Sequence, residues 1–377
     1  MNIGFDAKRV FQNYTGLGNY GRTLLRNLIL FYPKQNYYLY APYLRRNRET
    51  EDFFVNTNFK IRNSLSFFKS YWRSVSIKND LRKDKIDLYH GLSNEIPTGL
   101  KNTTIKSVVT IHDLIFKIVP ETYPSIDRRI YDLKFKYACR NADLIIAISE
   151  STKKDIIRFY HIDPQKIAVV YQPVNPIFYS RQITGQVNEV IAELRLPEDF
   201  ILYVGSISQR KNLKMLLNAY ALMNNSSQIP MVIVGKGGQY KKECIELAFK
   251  LGISKKLHWI DSVYDNRHIQ ALLQKAQLVV YPSLYEGFGL PVVEALLSET
   301  PVITSRVSSM PEAVGNDHLL ADPKNPEEWM HLMDKVITDN DFRISALNQS
   351  VNYVKKTFDP QKLIHQMMEL YEKVLSV

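Results

Sequence analysis

The chain has 377 residues, of which 45% are hydrophobic and 23% charged, and its formal net charge is +11. This composition is typical of a globular protein, and the lack of an apolar run of about 18 residues argues against a membrane-spanning helix. Two cysteines are too few for a disulfide framework or a cysteine-based metal site. Because the first residues form a strand-like pattern and not the apolar core of a signal peptide, we expect a cytoplasmic protein.

The excess positive charge lies in the first half of the chain. Residues 1–177 hold 28 Lys and Arg against 16 Asp and Glu, whereas the remaining residues hold 21 against 22. Such an asymmetry indicates that the first half faces a polyanion or an anionic membrane surface. Solubility alone is the competing explanation.

Short apolar runs alternate with helical patterns along the whole chain. In the first half, strands are predicted at Asn2–Asp6, Tyr37–Ala41, Lys60–Asn63, Asp87–His90, Ser107–His112, Asp143–Ile148 and Ile167–Tyr171. Helices are predicted between them, including Leu17–Phe31, Asp127–Asn141 and Ser151–Tyr160. In the second half, strands are predicted at Phe200–Val204, Met231–Val234, Leu257–Ile260, Leu278–Pro282 and Val302–Thr304. The helices of this half include Asn212–Met223, Gln239–Leu251 and Arg267–Lys275.

Repeated strand–helix units form parallel sheets that are covered by helices. Because two such series flank a proline-rich interruption, the sequence predicts an α/β protein with two Rossmann-like domains, residues 1–177 and 178–359. The last segment, 360–377, has one apolar helical stripe and is predicted to pack on another element.

The stretch "NYTGLGNYGRTL" contains the spacing Gly16-x-Gly18-x-x-Gly21, which on paper is a dinucleotide fingerprint. A nicotinamide site needs the first glycine directly after the strand and an acidic residue about 20 residues later. Here the loop after Asp6 is long, and the next strand, "NYYLYAP", ends without an acid. The remaining interpretations are an ordinary turn and a helix N-terminus that suits an anion.

The segment "YPSLYEGFGLPVVEALL" combines a strand end, two glycines and two carboxylates. Glu286 follows the strand, and Glu294 lies one turn into the helix that Pro291 begins. Ligands of parallel sheets bind at the carboxyl edge of the strands, and glycines allow close approach to the backbone. Since carboxylates accept hydrogen bonds from sugar hydroxyls, the segment predicts a site for two sugar rings beside a phosphate.

A second segment, "ILYVGSISQRKNLKMLL", carries basic residues and begins with a buried strand that ends at Gly205. Arg210 and Lys211 stand at the turn between this strand and the next helix. A guanidinium fork and a point charge at such a turn suit a leaving diphosphate.

Together these segments resemble the retaining glycosyltransferases of family GT4, and the resemblance covers nearly the whole chain. It is carried by the glycine loop, "VVTIHDL", "YVGSISQRKNL", "YEGFGLPVVEAL" and "SSMPEAVG". It implies the GT-B fold, with two facing Rossmann-like domains and a C-terminal helix that crosses back to the N-terminal domain. The R-K-N arrangement is similar to that of bacterial polysaccharide and O-antigen mannosyltransferases.

The resemblance also implies how a nucleotide-sugar donor is bound. Glu294 would bind ribose hydroxyls, Glu286 would bind hydroxyls of the transferred sugar, and Lys211 with Arg210 would hold the diphosphate. Backbone groups complete the donor site at Gly16, Gly18, Gly205, Phe288, Gly289 and Leu290. Many relatives have Arg where this chain has Ser206, so Arg210 is expected to take over that phosphate contact.

The expected reaction is glycosyl transfer with an oxocarbenium-like transition state. The catalytic residues are predicted to be His112, Arg210, Lys211 and Glu286. No Asp or Glu stands where a family nucleophile is expected, so front-face attack is implied, with the departing phosphate accepting the acceptor proton. His112 would orient the sugar, and we expect neither a metal ion nor another cofactor.

The N-terminal domain is expected to bind the acceptor. Aromatic residues Phe67, Phe68, Tyr71 and Trp72 are interleaved with lysines and arginines such as Arg73, and residues 127–140 repeat this pattern. This mixture suits an anionic bilayer and predicts peripheral attachment to the inner face of the cell membrane, near a lipid-linked glycan. A half-buried helix with a solvated basic face is the alternative, and nucleic acid is disfavoured because no RNA-binding motif accompanies the charge.

The sequence leaves the donor and the reaction class open. GDP-mannose is the first expectation for the donor, and UDP-glucose, UDP-GlcNAc and UDP-galactose are the alternatives. A nucleotide-sugar 2-epimerase on the same fold and a catalytically silent binding module are the competing functions. The acceptor, the linkage and the oligomeric state are not predicted.

Overall fold

The computed structural model describes residues 1–64, 67–261, 263 and 265–376. The chain divides into two compact units. The first unit comprises Met1–Pro173 and Phe358–Val377, and the second comprises Val174–Thr357. The predicted domain boundaries at residues 177 and 360 lie a few residues from these divisions.

The first unit contains a parallel sheet of seven strands. They are β1 Asn2–Asp6, β2 Asn36–Ala41, β3 Phe59–Asn63, β4 Leu88–Gly91, β5 Lys106–Ile111, β6 Leu144–Ala147 and β7 Ile167–Val169. The strand order is β3-β2-β1-β4-β5-β6-β7, and every neighbouring pair is parallel. All seven strands were predicted, with ends that differ by at most two residues.

Helices connect these strands. They are α1 Lys8–Gln12, α2 Gly16–Phe31, α3 Glu51–Val55, α4 Lys69–Tyr71, α5 Ile77–Lys83, α6 Ile115–Ile118, α7 Ser125–Asn141 and α8 Glu150–Tyr160. A π-helical turn, Trp72–Ser76, lies between α4 and α5. Such turns are rare and occur often at functional sites.

The second unit contains a parallel sheet of six strands. They are β8 Ile201–Val204, β9 Met231–Val234, β10 Leu257–Ile260, β11 Leu278–Tyr281, β12 Val302–Ser305 and β13 Leu320–Ala321. The order is β10-β9-β8-β11-β12-β13. The sequence did not predict β13, because two residues are too few to show a period.

The remaining helices follow in chain order. They are α9 Thr184–Glu193, α10 Leu213–Ala221, α11 Gln239–Lys250, α12 Asn266–Lys275, α13 Leu290–Leu297, α14 Met310–Val314, α15 Pro326–Thr338, α16 Asn340–Thr357 and α17 Pro360–Leu375. The last of these, α17, belongs to the first unit, where it packs on α2.

Helix α17 completes the core of the first unit. Its apolar stripe, Ile364, Met367, Met368 and Tyr371, is buried together with residues of β1, β2 and α2. The Tyr371 hydroxyl lies 2.6 Å from Nδ1 of His90 on β4, and Nε2 of His90 lies 2.8 Å from Oγ1 of Thr110 on β5. Because His90 is fully buried, this hydrogen-bond chain ties the last helix to the centre of the sheet.

Each sheet has one point where the strand order reverses. In the first unit this switch point lies between β1 and β4, and in the second it lies between β8 and β11. Loops that leave these strand pairs diverge, which opens a crevice at the carboxyl edge where ligands of such folds bind. Both switch points carry clusters of charged side chains.

Candidate active site

The loops after β8 and β11 are tied together at the switch point of the second unit. The backbone N–H of Leu284 donates to the carbonyl oxygen of Arg210 at 2.8 Å, and Nη1 of Arg210 donates to the Tyr285 carbonyl at 2.6 Å. Asn212 adds a bond from its side-chain amide to the Pro282 carbonyl at 3.2 Å. The two segments that the sequence singled out therefore meet at one sheet edge.

Three charged residues form the centre of this edge, which we call the Glu286 cluster: Arg210, Lys211 and Glu286. Oε1 of Glu286 lies 2.6 Å from Nη1 of Arg210 and 2.5 Å from Nζ of Lys211. The side chains are 19%, 9% and 11% exposed for Arg210, Lys211 and Glu286. Lys211 also donates to the hydroxyl of Tyr281 at the end of β11.

The cluster holds two cations and one carboxylate in a nearly dry environment. Burial alone would raise the pKa of Glu286, but Lys211 and Arg210 hold it below its usual value. Burial lowers the pKa of Lys211, and Glu286 opposes this only in part. Burial and the Glu286 charge raise the pKa of Tyr281 well above its usual value, so this residue stays neutral. The excess of positive charge suits an anionic ligand.

Glu294 lies in α13 and differs from Glu286 in its electrostatics. Burial raises the pKa of Glu294 to about 7, without an opposing cation in the described part of the chain. The negative charge of Glu294 also acts on Tyr281, as that of Glu286 does. Both carboxylates therefore act on the Tyr281 hydroxyl, although only Glu286 is paired with cations in the part of the chain that the structure describes.

The backbone between them has little freedom. Gly289 caps α13 with φ of 109°, and a Cβ at this position would collide with the side chain of Met310. Oγ of Ser308 accepts from the Glu286 N–H at 3.0 Å, and Oγ of Ser309 donates to the carbonyls of Glu286 and Phe288 at 3.0 and 2.8 Å. The segment "SSMPEAVG" thus holds the Glu286–Gly289 loop, a role that its sequence did not reveal.

The glycine loop of the first unit is braced by side chains. A Cβ on Gly18 would collide with the carbonyl of Asn13, whereas Gly16 has open space around it. Oδ1 of Asn13 accepts from the N–H groups of Thr15 and Gly18, at 2.9 and 3.1 Å. The Gly18 N–H predicted to face a diphosphate therefore already has a protein partner.

His112 follows β5 and is buried. Its Nε2 donates to the Leu92 carbonyl at 2.8 Å, and its Nδ1 accepts from Nε2 of Gln172 at 2.9 Å. Burial lowers the pKa of His112 to about 4, so the ring is neutral at pH 7. With both ring nitrogens held, His112 is an oriented neutral group rather than a free base.

The switch point of the first unit carries a second cluster, the Asp6 cluster: Asp6, Arg73, Glu95 and Lys134. Arg73 pairs with Asp6, with Nε to Oδ1 at 3.1 Å, and its Nη1 donates to Oε2 of Glu95 at 2.7 Å. Nζ of Lys134 lies 3.3 Å from Oε1 of Glu95. Burial alone would raise the pKa of Asp6, but Arg73 holds it below its usual value.

The Asp6 cluster corrects part of the predicted basic surface. Arg73 was assigned to that surface, but its side chain is 11% exposed and paired, and Trp72 is 5% exposed with its indole N–H on Asp80. The π-helical turn places both side chains inward. A strand that ends in Asp was the available sequence signal for this cluster.

Other parts of the predicted surface are exposed. Phe67, Phe68 and Tyr71 are 92%, 70% and 59% exposed, and on α7 the exposed residues include Ile126 and Leu133. Glu95 joins the two segments, since it pairs with both Arg73 and Lys134. In the part of the chain that the structure describes, every helix is too short or too polar to span a bilayer.

Two family models match the chain. Residues 23–177 match Glycosyltransferase Family 4, and residues 188–357 match Glycosyl transferases group 1. The chain is 28% identical over 279 residues to the O-antigen chain mannosyltransferase B of Escherichia coli, covering 73% of this chain and 72% of that protein. It is 30% identical over 275 residues to the serotype-specific mannosyltransferase WbdA of Escherichia coli, covering 70% of this chain but only 34% of WbdA.

Solved structures share the fold. The crystal structure of Anabaena HepE in complex with UDP and glucose superimposes with a TM-score of 0.74 at 17% identity, covering 99% of this chain and 100% of HepE. This likeness, together with the two parallel sheets, confirms the GT-B fold class predicted from the sequence. The chain belongs to the glycosyltransferases that join a family 4 domain to a group 1 domain.

Proposed function

We propose that this glycosyltransferase moves mannose from GDP-mannose to a glycan or lipid-linked acceptor in cell-surface polysaccharide synthesis, with retention of the anomeric configuration. The observation that carries the proposal is the Glu286 cluster with Glu294 at the switch point of the second sheet. Two cations suit a diphosphate, and a nearby carboxylate suits the hydroxyls of each sugar ring.

The donor would be held by groups that the second unit brings together at one sheet edge. Arg210 and Lys211 take the diphosphate, Glu294 takes the ribose hydroxyls, and Glu286 takes hydroxyls of the transferred sugar. The backbone of Phe288, Gly289 and Leu290 at the start of α13, together with Gly205, lines the remaining side. The roles of Gly16, Gly18 and His112, which lie in the first unit, follow from the family resemblance.

Catalysis would come from stabilising the leaving group. Negative charge develops on the departing diphosphate as the anomeric bond breaks, and fixed cations and N–H groups in a dry site stabilise it. Because Arg210 and Lys211 supply two positive charges, we propose that the enzyme needs no metal ion. A neutral, doubly held His112 fits an orienting role and not proton transfer.

The choice of mannose rests on the relatives. Both relatives named above are mannosyltransferases, one of them of the O-antigen chain, which supports mannose as the transferred sugar. A UDP-sugar is the alternative donor, since HepE was crystallised with UDP and glucose. An epimerase on the same fold would convert the nucleotide sugar without any acceptor.

We propose that the first unit binds the acceptor at an anionic membrane surface. The exposed side chains Phe67, Phe68, Ile126 and Leu133 lie on two basic segments that Glu95 connects. Apolar residues beside basic ones favour the interface of an anionic bilayer. In a liposome flotation assay we expect recovery with anionic vesicles only; equal recovery with neutral vesicles would contradict membrane attachment.

A thermal-shift panel tests the donor. GDP-mannose, UDP-glucose, UDP-GlcNAc and UDP-galactose would each be added with and without EDTA. A donor at 100 times its Kd stabilises the protein by about 2.7 kcal/mol, so one nucleotide sugar should raise Tm clearly, and EDTA should not abolish the shift. Product analysis in the presence of oligosaccharide or lipid-linked acceptors then separates transfer from epimerisation. No shift with any of the four would contradict the proposal.

A further inference from the structure

We infer that Glu286 is a built-in counter-ion that competes with the diphosphate for Arg210 and Lys211, so that the enzyme holds a nucleotide sugar more tightly than the nucleoside diphosphate product. This inference rests on the proposed function, since it concerns the same site. It adds a second role to a residue that the family resemblance links only to sugar hydroxyls.

The geometry that carries the inference is the sharing of one oxygen. Oε1 of Glu286 pairs with both cations, at 2.6 Å from Arg210 and 2.5 Å from Lys211. A phosphate oxygen that binds the same two groups would have to take this position. The carboxylate therefore occupies the place that the proposed ligand needs.

The surroundings favour an exchange of partners. The backbone of Glu286 is fixed by Ser308 and Ser309, so only its side chain has to move. Both cations keep neutral partners, because Arg210 also donates to the Tyr285 carbonyl and Lys211 to the Tyr281 hydroxyl. A diphosphate can therefore replace the carboxylate without a change in the backbone.

The released carboxylate needs new partners, because an unpaired buried charge is costly. When the donor is bound, the hydroxyls of its sugar supply them. After transfer the sugar has left, and the carboxylate competes for the cations with the remaining nucleoside diphosphate. Glu286 therefore favours binding of the intact donor and release of the spent nucleotide.

Two matched variants test this inference, since Glu286→Gln and Glu294→Gln each replace a carboxylate of the second unit by an amide of the same size. Isothermal titration calorimetry with GDP, and separately with UDP, measures product affinity. We expect Glu286→Gln to bind the cognate nucleoside diphosphate at least about tenfold more tightly than wild type, because a negative charge next to the phosphates is gone. Glu294→Gln should bind it more weakly, because a ribose contact is lost.

A kinetic measurement supplies the second readout. Product inhibition by the same nucleoside diphosphate should strengthen in Glu286→Gln, and the ratio of product affinity to nucleotide-sugar affinity should rise. If Glu286→Gln does not fold, Glu286→Asp replaces it: the shorter side chain keeps the charge but reaches the cations less well, and a few-fold tighter product binding is expected.

The outcomes separate the inference from the proposed function. Unchanged or weaker binding of the nucleoside diphosphate to Glu286→Gln overturns the counter-ion role, and so does equal tightening in both glutamine variants, which would indicate a general charge effect. If wild type binds neither GDP nor UDP, the proposed function itself is wrong.

Discussion

The two switch points of this protein occupy the same place in their sheets but differ in charge. At the edge of the second sheet, two cations share one carboxylate. At the edge of the first, Asp6 and Glu95 face Arg73 and Lys134, so positive and negative charges balance. A shared topology therefore creates the crevice, and the residues of the loops decide which ligand suits it.

The clusters also differ in where their charges originate. In the second unit, the cations follow β8 and the carboxylate follows β11, so all three belong to loops of the crevice. In the first unit, the strand itself ends in the carboxylate of Asp6, and the guanidinium comes from the π-helical turn. The arrangement in the second unit suits an anion. The arrangement in the first unit suits hydroxyl groups that donate to the carboxylates of Asp6 and Glu95.

The largest expected effect comes from removing a cation of the Glu286 cluster. Lys211→Ala should lower kcat/KM for the donor by about 10²–10³-fold, because a preorganised charge next to the leaving diphosphate is lost. Initial rates of donor consumption would measure this. Lys214→Ala is the matched control, since Lys214, three residues further along the chain, forms a partly exposed pair with Glu243, and the rate of this variant should remain near wild type. Comparable losses in both variants would argue against the site.

In the Asp6 cluster, the largest effect should be on stability. Asp6→Asn leaves the buried Arg73 without its main partner and should lower the free energy of unfolding of the first unit by about 3–5 kcal/mol. Asp52→Asn, which breaks the more exposed pair with Arg26, should cost about 1 kcal/mol or less. Urea denaturation with hydrogen-exchange mass spectrometry would assign the change to the first unit. Equal costs for the two variants would contradict a buried, structurally coupled pair.

A smaller effect is expected from the exposed side of that cluster. If Glu95 accepts a hydrogen bond from a hydroxyl of the acceptor, Glu95→Gln should raise the KM for the glycan acceptor by about tenfold, the value of one charged hydrogen bond. Donor hydrolysis in the absence of acceptor should not change. Glu51→Gln, at an exposed pair with Arg46, serves as control. An unaltered KM would leave the first switch point with a purely structural role.

The last effect concerns the pH dependence of stability. The pKa of Glu294 is about 7 in the folded protein and ordinarily 4.5, so the folded state holds a proton that the unfolded state has released between these values. The contribution of this proton to the stability of the folded state is complete below pH 4.5 and is lost as the pH rises through 7. On going from pH 5 to pH 8, Tm of Glu294→Gln should therefore fall less than Tm of wild type. Parallel curves would contradict the raised pKa.

The sequence predicted the sheets well for a physical reason. Strands that are buried on both faces appear as short apolar runs between turn residues, as Met231–Val234 does, and the edges of those runs mark the carboxyl ends. Lys211 and Glu286 follow the carboxyl ends of β8 and β11, and the carboxyl ends of parallel strands lie at one edge of the sheet. The two residues could therefore be expected at one site. Their direct pairing could not, since it depends on side-chain conformations that no spacing encodes.

The predictions that were wrong concern single side chains. Trp72 and Arg73 were placed on an exposed face because their neighbours are aromatic and basic, yet the π-helical turn rotates both inward. The partner that holds His112, Gln172, lies 60 residues away in sequence. Contacts of this kind arise from tertiary packing, for which the local pattern carries no signal.

The packing of α17 has a consequence for the order in which the protein can form. Its Tyr371 bonds to His90 at the centre of the first sheet, although the whole second unit is encoded between them. Because synthesis runs from the N-terminus, the ribosome makes the second unit before α17, the helix that completes the first unit. During synthesis the second unit is therefore the first to have all of its residues available. In the first unit, the apolar residues that pack against α17 stay uncovered until that helix has left the ribosome.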